Sequence, residues 1–217
     1  MTMGIAGSHR KRCFIAGAGE YCGLELPRED DYIISADGGY AELVSRGITP
    51  DIVVGDFDSL GKVPDHPNVI RSPEEKDDTD MMLAVRQGLS SGCKTFIIDG
   101  GLGGRLDHTL ANIQVLAYIA KNGARGYLIG RDLCLTAVTN GTISFMPGLT
   151  GNISVFSADG RAEGVTLTGL KYTLDDALLT NLHPVGVSNE FTGTPSTVTV
   201  REGTLLVMWT GGLGILK

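Results

Sequence analysis

The stretch PDIVVGDFDSL, from Pro50 to Leu60, decides how the rest of the chain is read. Ile52, Val53 and Val54 are β-branched and run into Gly55, after which Asp56 and Asp58 flank Phe57. This is the pattern of a buried strand that ends at a glycine and releases carboxylates from its carboxyl end, the edge at which open α/β sheets bind ligands. If extended geometry continues past Gly55, Asp56 and Asp58 point to one side and Phe57 turns into the core. Two carboxylates held side by side repel unless a cation lies between them. For this stretch taken alone, an Asp-rich surface turn is the alternative, because aspartate also favours turns through its own hydrogen bonds.

Outward from this stretch, strand and helix signals alternate. CFIAGAG, DYIISADGG, NVIR, KTFIIDGGLGG and RGYLIG read as further strands. YAELVSRG reads as a helix capped at Gly47. A second helix follows PEEKDDTD, with Asp77, Asp78 or Thr79 as its cap and Met81, Met82, Val85 and Leu89 as its apolar stripe. RLDHTLANIQVLAYIAKNG reads as a third, with Leu106, Leu110, Ile113, Ala117 and Ala120 on one face. Such alternation implies a mostly parallel sheet. Asp37, Asp56 with Asp58, and Asp99 then all fall at carboxyl ends of strands and share one rim. From about Leu135 the helical period fades, and β-branched runs separated by glycine turns read as a small antiparallel sandwich or barrel. The fold class is therefore α/β plus all-β, divided at 1–137 and 138–217.

The chain has 217 residues, a net charge of −7, and no apolar run near the ~20 residues that span a bilayer. The balance argues against a general nucleic-acid binder and no membrane segment is expected. Nine acids and three bases lie between Asp51 and Asp80, so most of the net charge sits in thirty residues. An anionic ligand there needs bridging hard cations. The basic N-terminus is a poor signal peptide, and the four cysteines show neither CxxC nor zinc spacing. A cytoplasmic, reducing setting is expected.

Four further elements carry chemistry. GAGEYCG (Gly17 to Gly23) reads equally as a phosphate-approaching loop and as a tight strand-to-helix turn. KDDTD (Lys76 to Asp80) caps a helix, but a lysine is mildly unfavourable there, and a bound phosphate would account for it. In GGLGGRLDHTLAN (Gly100 to Asn112) the glycines let backbone approach a ligand, and Arg105 opens a helix with a planar fork suited to phosphate oxygens. His108 and Asn112 are four apart and face alike. GVSNEFTG (Gly186 to Gly193) is either a turn or a specificity loop.

Together SADGG (35–39), PDIVVGDFDS (50–59), KDDTD (76–80), GGLGGRLDHTLAN (100–112), GLKY (169–172) and GVSNEF (186–191) resemble thiamine pyrophosphokinase (thiamine diphosphokinase) of bacterial type. Each motif is weak alone; six in order cover most of the chain. The resemblance implies a Rossmann-like N-terminal nucleotide-binding domain, a C-terminal β-sandwich for thiamine binding and dimerisation, and a homodimer. It implies ATP and thiamine as substrates, Mg²⁺ as cofactor, and thiamine diphosphate and AMP as products. Carried over, Asp56, Asp58 and Asp80 are the metal-associated aspartates, with Arg105 and Asp107 completing the catalytic set. Asp37, Gly38, Lys76, Thr79, Arg105 and Asn112 belong to the nucleotide side, and Ser188 and Asn189 to the thiamine side. Tyr172 stands where some eukaryotic members have Trp, and no stacking role is assigned to it.

Three rival readings remain at this point. A pyrophosphokinase for another hydroxymethyl heterocycle, such as a pterin, would keep the same rim. A non-catalytic Mg-nucleotide or thiamine diphosphate sensor has no need of the full acid set and Arg105. A phosphatase with Asp56 as nucleophile would pass through a phosphoaspartate.

Overall fold

In the computed structural model, residues 12–21, 25–57, 61–71 and 78–216 are described. Six parallel strands form the first half: β1 (Arg12–Ala16), β2 (Tyr32–Ala36), β3 (Ile52–Gly55), β4 (Val69–Arg71), β5 (Thr95–Asp99) and β6 (Arg125–Gly130). Their spatial order is β4-β3-β2-β1-β5-β6. The chain walks outward from β1 to β4, then returns to the other side of β1. The direction therefore switches between β1 and β5, and the carboxyl ends of those two strands open a crevice.

Side chains of these strands alternate between two buried layers. Cys13 and Ile15 of β1, and Phe96 and Ile98 of β5, pack under helices α2 (Asp80–Ser90) and α3 (Leu106–Lys121). Phe14 and Ile97 face the opposite layer with Leu43 of α1 (Gly39–Ser45). Cys13, Cys93 and Cys134 are buried free thiols; burial pushes the Cys13 thiol up, and the adjoining Cys93 adds to it.

The second half is antiparallel. It comprises β7 (Leu133–Phe145), β8 (Asn152–Ser157), β9 (Arg161–Thr168), β10 (Leu174–Thr180), β11 (Asn189–Glu190) and β12 (Ser196–Thr210). β7 joins β6 antiparallel, so one mixed sheet with few helices runs through the whole chain. The expected division at 137/138 falls inside β7. Just beyond it, Asn140 takes a left-handed φ of 46° and its Oδ1 accepts the Gly203 N–H at 2.9 Å, where β12 slips register against β7. Before that irregularity β12 pairs with β9, and after it with β8. Tyr127 of β6, Trp209 of β12 and Phe145 of β7 meet edge-on, with centroids 6.4 and 5.4 Å apart, and Phe191 continues the stack at 5.1 Å. These aromatic contacts make the core of the two halves continuous.

The expected α3 stripe is corrected. Its buried face is Asn112, Val115, Leu116 and Ile119, whereas Leu106 is 71% and Leu110 55% exposed. The first turns of α3 stand clear of the sheet, and only the part beyond Asn112 lies over the core. Among the described residues no helix is long and apolar enough to cross a membrane.

Candidate active site

Acidic residues follow or close the carboxyl ends of β2, β3 and β5: Asp37, Asp56 and Asp99. After β2, Asp37 adopts a φ of 45° and its N–H donates to the Val54 carbonyl at 2.8 Å. That bond holds the Asp37–Gly38 turn against the end of β3. A Cβ on Gly55 would lie 3.1 Å from the Asp37 Cα, so the glycine permits this approach. Asp56 follows, half-buried, beside Asp37. Phe57 is buried as expected but has a φ of 67°. The chain thus leaves extended geometry at Phe57, and the same-side argument for Asp56 and Asp58 does not apply. A phenylalanine in the left-handed region is strained, a cost that surroundings must over-determine and that clusters at functional sites. Asp58 and Lys76 lie outside the described residues.

Helix α2 brings its own acid to the rim. Thr79 caps it, its Oγ1 accepting the Met82 N–H at 3.2 Å. Asp78 turns away to pair with Arg86. Asp80 is left at the first helical position, half-buried. Met81, next to it, reaches the carboxyl end of β1: its Cε lies 3.0 Å from the place a Cβ on Gly17 would take. The start of α2 therefore stands over the β1–β5 crevice.

The two glycine segments are joined to each other. Gly17, Gly19 and Glu20 donate their amides to Asp99, Gly100 and Leu102 at 2.8, 2.6 and 2.8 Å. These amides are committed to the 99–102 segment, which argues against a phosphate cradle at Gly17–Glu20; the described residues between β1 and β2 form no helix either, so a strand-to-helix turn is not found there. Tyr21 folds back so that its hydroxyl donates to the Gly17 carbonyl. Its ring fills the space in front of Gly100, and Arg46 stacks 5.1 Å from its centroid. Burial pushes the Tyr21 phenol up, and the Asp99 charge adds to this. Asn112 is buried, and its Nδ2 donates to the Gly101 carbonyl at 2.7 Å. It therefore pins the glycine loop from below, while His108 is exposed. The place of the Tyr21 ring depends on Gly100 and Arg46, distant along the chain, whereas Asn112 pins Gly101 eleven residues away within its own motif.

Arg105 precedes α3 with its fork on Asp107: Nη2 to Oδ2 at 2.6 Å and Nε to Oδ1 at 3.2 Å. Both side chains are exposed. The Arg105 hydrogen bond holds the Asp107 carboxyl below its ordinary range, and the Asp107 partner raises Arg105. A carboxylate with a depressed pKa keeps its pair above that pKa and loses it as pH falls through it. A carboxyl-carbon NMR titration of Asp107 should therefore show a midpoint below the ordinary value of about 3.9, and Arg105→Gln should return it there. An unshifted midpoint in the parent protein would refute the pair.

The β half gathers GLKY and GVSNEF into one unit. Lys171 pairs with Glu190 at 2.6 Å and lies 5.5 Å from the Tyr172 ring centroid. Ser188 is exposed with a φ of 56°, its N–H donating to Ser154 Oγ at 3.1 Å. Asn189 is buried and bonded to Tyr172. Hydrogen bonds of this segment run to 151–155 and 171–172, within the β half.

At the rim, the described acids offer hard oxygen donors of the kind Mg²⁺ takes. Among the described residues no cluster of three or more metal-ligating side chains is closed.

Two family models match the chain: the thiamin pyrophosphokinase catalytic domain over residues 24–128, and the thiamin pyrophosphokinase vitamin B1 binding domain over 140–205. Thiamine pyrophosphokinase of Bacillus subtilis (strain 168) is 30% identical over 192 residues, covering 81% of this chain and 85% of its own. Thiamin pyrophosphokinase 1 of Caenorhabditis elegans is 26% identical over 178 residues, covering 74% and 72%. The crystal structure of the Bacillus subtilis enzyme superposes with a TM-score of 0.80 at 28% identity, over 94% of this chain and all of that one. That of Geobacillus thermodenitrificans gives 0.77 at 26%, with the same coverage. With a catalytic rim matched by one model and the Lys171–Glu190 unit matched by the other, the chain belongs to the thiamine pyrophosphokinase family.

Proposed function

We propose that this protein transfers the diphosphate group of ATP to the hydroxyl of thiamine, giving thiamine diphosphate and AMP. The observation that carries the reading is the placement of Asp37 and Asp56 just past the carboxyl ends of β2 and β3, and of Asp80 and Arg105 at the starts of α2 and α3, in a chain that matches both the family's catalytic and vitamin B1 binding models. The thiamine oxygen attacks the β-phosphorus, the bond from that phosphorus to the oxygen bridging the α-phosphorus breaks, and AMP leaves with that oxygen. Such transfers depend on positioning and charge neutralisation more than on covalent help from protein groups. Mg²⁺ held by Asp56, Asp58 and Asp80 would supply charge neutralisation for the polyphosphate.

The chain's own groups do the rest. Asp37, Gly38 and Thr79 line the nucleotide side, with Lys76 joining from outside the described residues. Arg105 presents its fork to phosphate oxygens, and Asp107 orients it. One carboxylate, Asp58 or Asp107, accepts the hydroxyl proton. Asn112 acts by fixing the loop before Arg105. Ser188 and Asn189 serve the thiamine side. Residues 1–137 then form a Rossmann-like nucleotide unit and 138–217 a β-sandwich unit, with β7 crossing from one to the other. A homodimer fits the apolar side chains exposed around the thiamine loop, Leu178, Leu182, Val185 and Val187, and a cytoplasmic setting fits the free thiols.

Purified protein with ATP, Mg²⁺ and thiamine should give AMP and thiamine diphosphate in equal amounts, lost on adding EDTA. ADP or inorganic phosphate as product would overturn the reaction while leaving the rim in place. Arg105→Gln should raise the KM for ATP about tenfold, the scale of one lost charged hydrogen bond, with the thiamine KM unchanged.

A further inference from the structure

The side-chain amide of Asn189 is buried, and it makes three hydrogen bonds to backbone. Its Oδ1 accepts the Tyr172 N–H at 2.9 Å and the Glu190 N–H at 2.9 Å, and its Nδ2 donates to the Tyr172 carbonyl at 2.6 Å. The amide orientation follows from these partners, because the reversed one would set NH₂ against two N–H donors. Just before Tyr172, the Lys171 N–H donates to the Glu190 carbonyl at 3.0 Å and Leu170 bridges to Phe191. Asn189 thus extends this short pairing by one residue, its side chain standing in for a peptide group. A carboxamide can make four bonds through two donors and two lone pairs. Three are used inside the protein, so little is left for a ligand.

We infer that Asn189 is a positioning residue: it locks the Gly169–Tyr172 turn to the Ser188 segment and governs thiamine affinity through Tyr172 rather than by contact. This rests on the reading that the 186–191 segment receives thiamine. Tyr172 is 60% exposed, its ring meeting the Lys171 ammonium at 5.5 Å on the loop itself, and Ser188 holds a left-handed φ of 56°. Both residues border the Asn189 amide, one through its bonds and one through the chain. Releasing the amide frees the two lips of the loop to move apart, which costs binding order and leaves the phosphate chemistry on the rim intact.

The test compares Asn189→Ala, Asn189→Asp and Ser188→Ala in the full-length enzyme. Amide hydrogen exchange at Tyr172 should accelerate in Asn189→Ala and less in Asn189→Asp, which keeps both accepted bonds but sets a carboxylate oxygen against the Tyr172 carbonyl where Nδ2 donates. The thiamine KM should rise about tenfold in Asn189→Ala and less in Asn189→Asp, with kcat and the ATP KM within about twofold. A raised thiamine KM with Tyr172 exchange unchanged in Asn189→Ala would overturn the clamp in favour of direct contact. A fall in kcat with both KM values raised and exchange faster throughout would mean a general structural role, and overturn it as well. Should Asn189→Ala fail to fold, an Asn189→Asp enzyme with an unaltered thiamine KM would overturn it. Faster Tyr172 exchange with thiamine KM unchanged in both Asn189→Ala and Ser188→Ala would refute the thiamine-loop reading itself, and with it the link from Asn189 to substrate.

Discussion

Asp56→Asn should lower kcat by at least about 10²-fold, the scale of losing one preorganised electrostatic group, and leave the fold intact. The side chain leaves β3 at the rim, half-buried, with Asp37 held against the strand end beside it. Asparagine has the same shape and can keep hydrogen bonds, so packing around Phe57 and Gly55 is undisturbed. What disappears is one negative charge among the carboxylates assigned to Mg²⁺. The apparent Mg²⁺ requirement should therefore shift to higher concentration as kcat falls, while the thiamine KM, set in the β half, stays near its parent value. Circular-dichroism melting alongside the kinetics separates this from unfolding. Near-normal turnover in a well-folded variant would remove Asp56 from the metal site.

The parallel half was legible because its strands are buried on both faces. Cys-Phe-Ile-Ala, Tyr-Ile-Ile-Ser, Ile-Val-Val and Phe-Ile-Ile are short apolar runs bounded by glycine or aspartate, and β1, β2, β3 and β5 fall on them. The helix end at Gly47 and the cap of α2, Thr79 among three candidates, were equally local. Where reading failed, a distant contact decided. The α3 stripe was drawn from periodicity alone, but Leu106 and Leu110 in its first turns are exposed among the described residues. Phe57 broke the assumption that a strand runs on through GDFDS. The amides of Gly17 and Gly19 looked available from sequence, yet β5 lies alongside and takes them. Motif order singled out the 186–191 segment, but not that Asn189 spends its amide on Tyr172, seventeen residues away.

Gly39→Ala should destabilise the protein by about 3 kcal/mol, at the upper end of overpacking costs. For a domain of this size that corresponds to roughly 6–12 °C in melting temperature. Gly39 opens α1, and a Cβ there would lie 2.1 Å from the Ala16 carbonyl oxygen, 2.6 Å from its carbon and 2.9 Å from the Gly17 oxygen. All three atoms are backbone. Ala16 is fixed on both sides, opposite Ser35 of β2 and Asp99 of β5, so it cannot retreat without breaking a ladder. The helix must move instead, and it is only seven residues long with one apolar anchor buried in full, Leu43. Moving its start drags the Asp37–Gly38 turn off the end of β3, so activity should fall beyond what unfolding explains at temperatures where the variant remains folded. Gly160→Ala is the control: no atom lies within 4 Å of its Cβ position, and its stability should change by less than about 0.5 kcal/mol. Equal melting temperatures for the two variants would mean that α1 does not seat on the backbone of β1, and that the rim's geometry at Asp37 is set by something else.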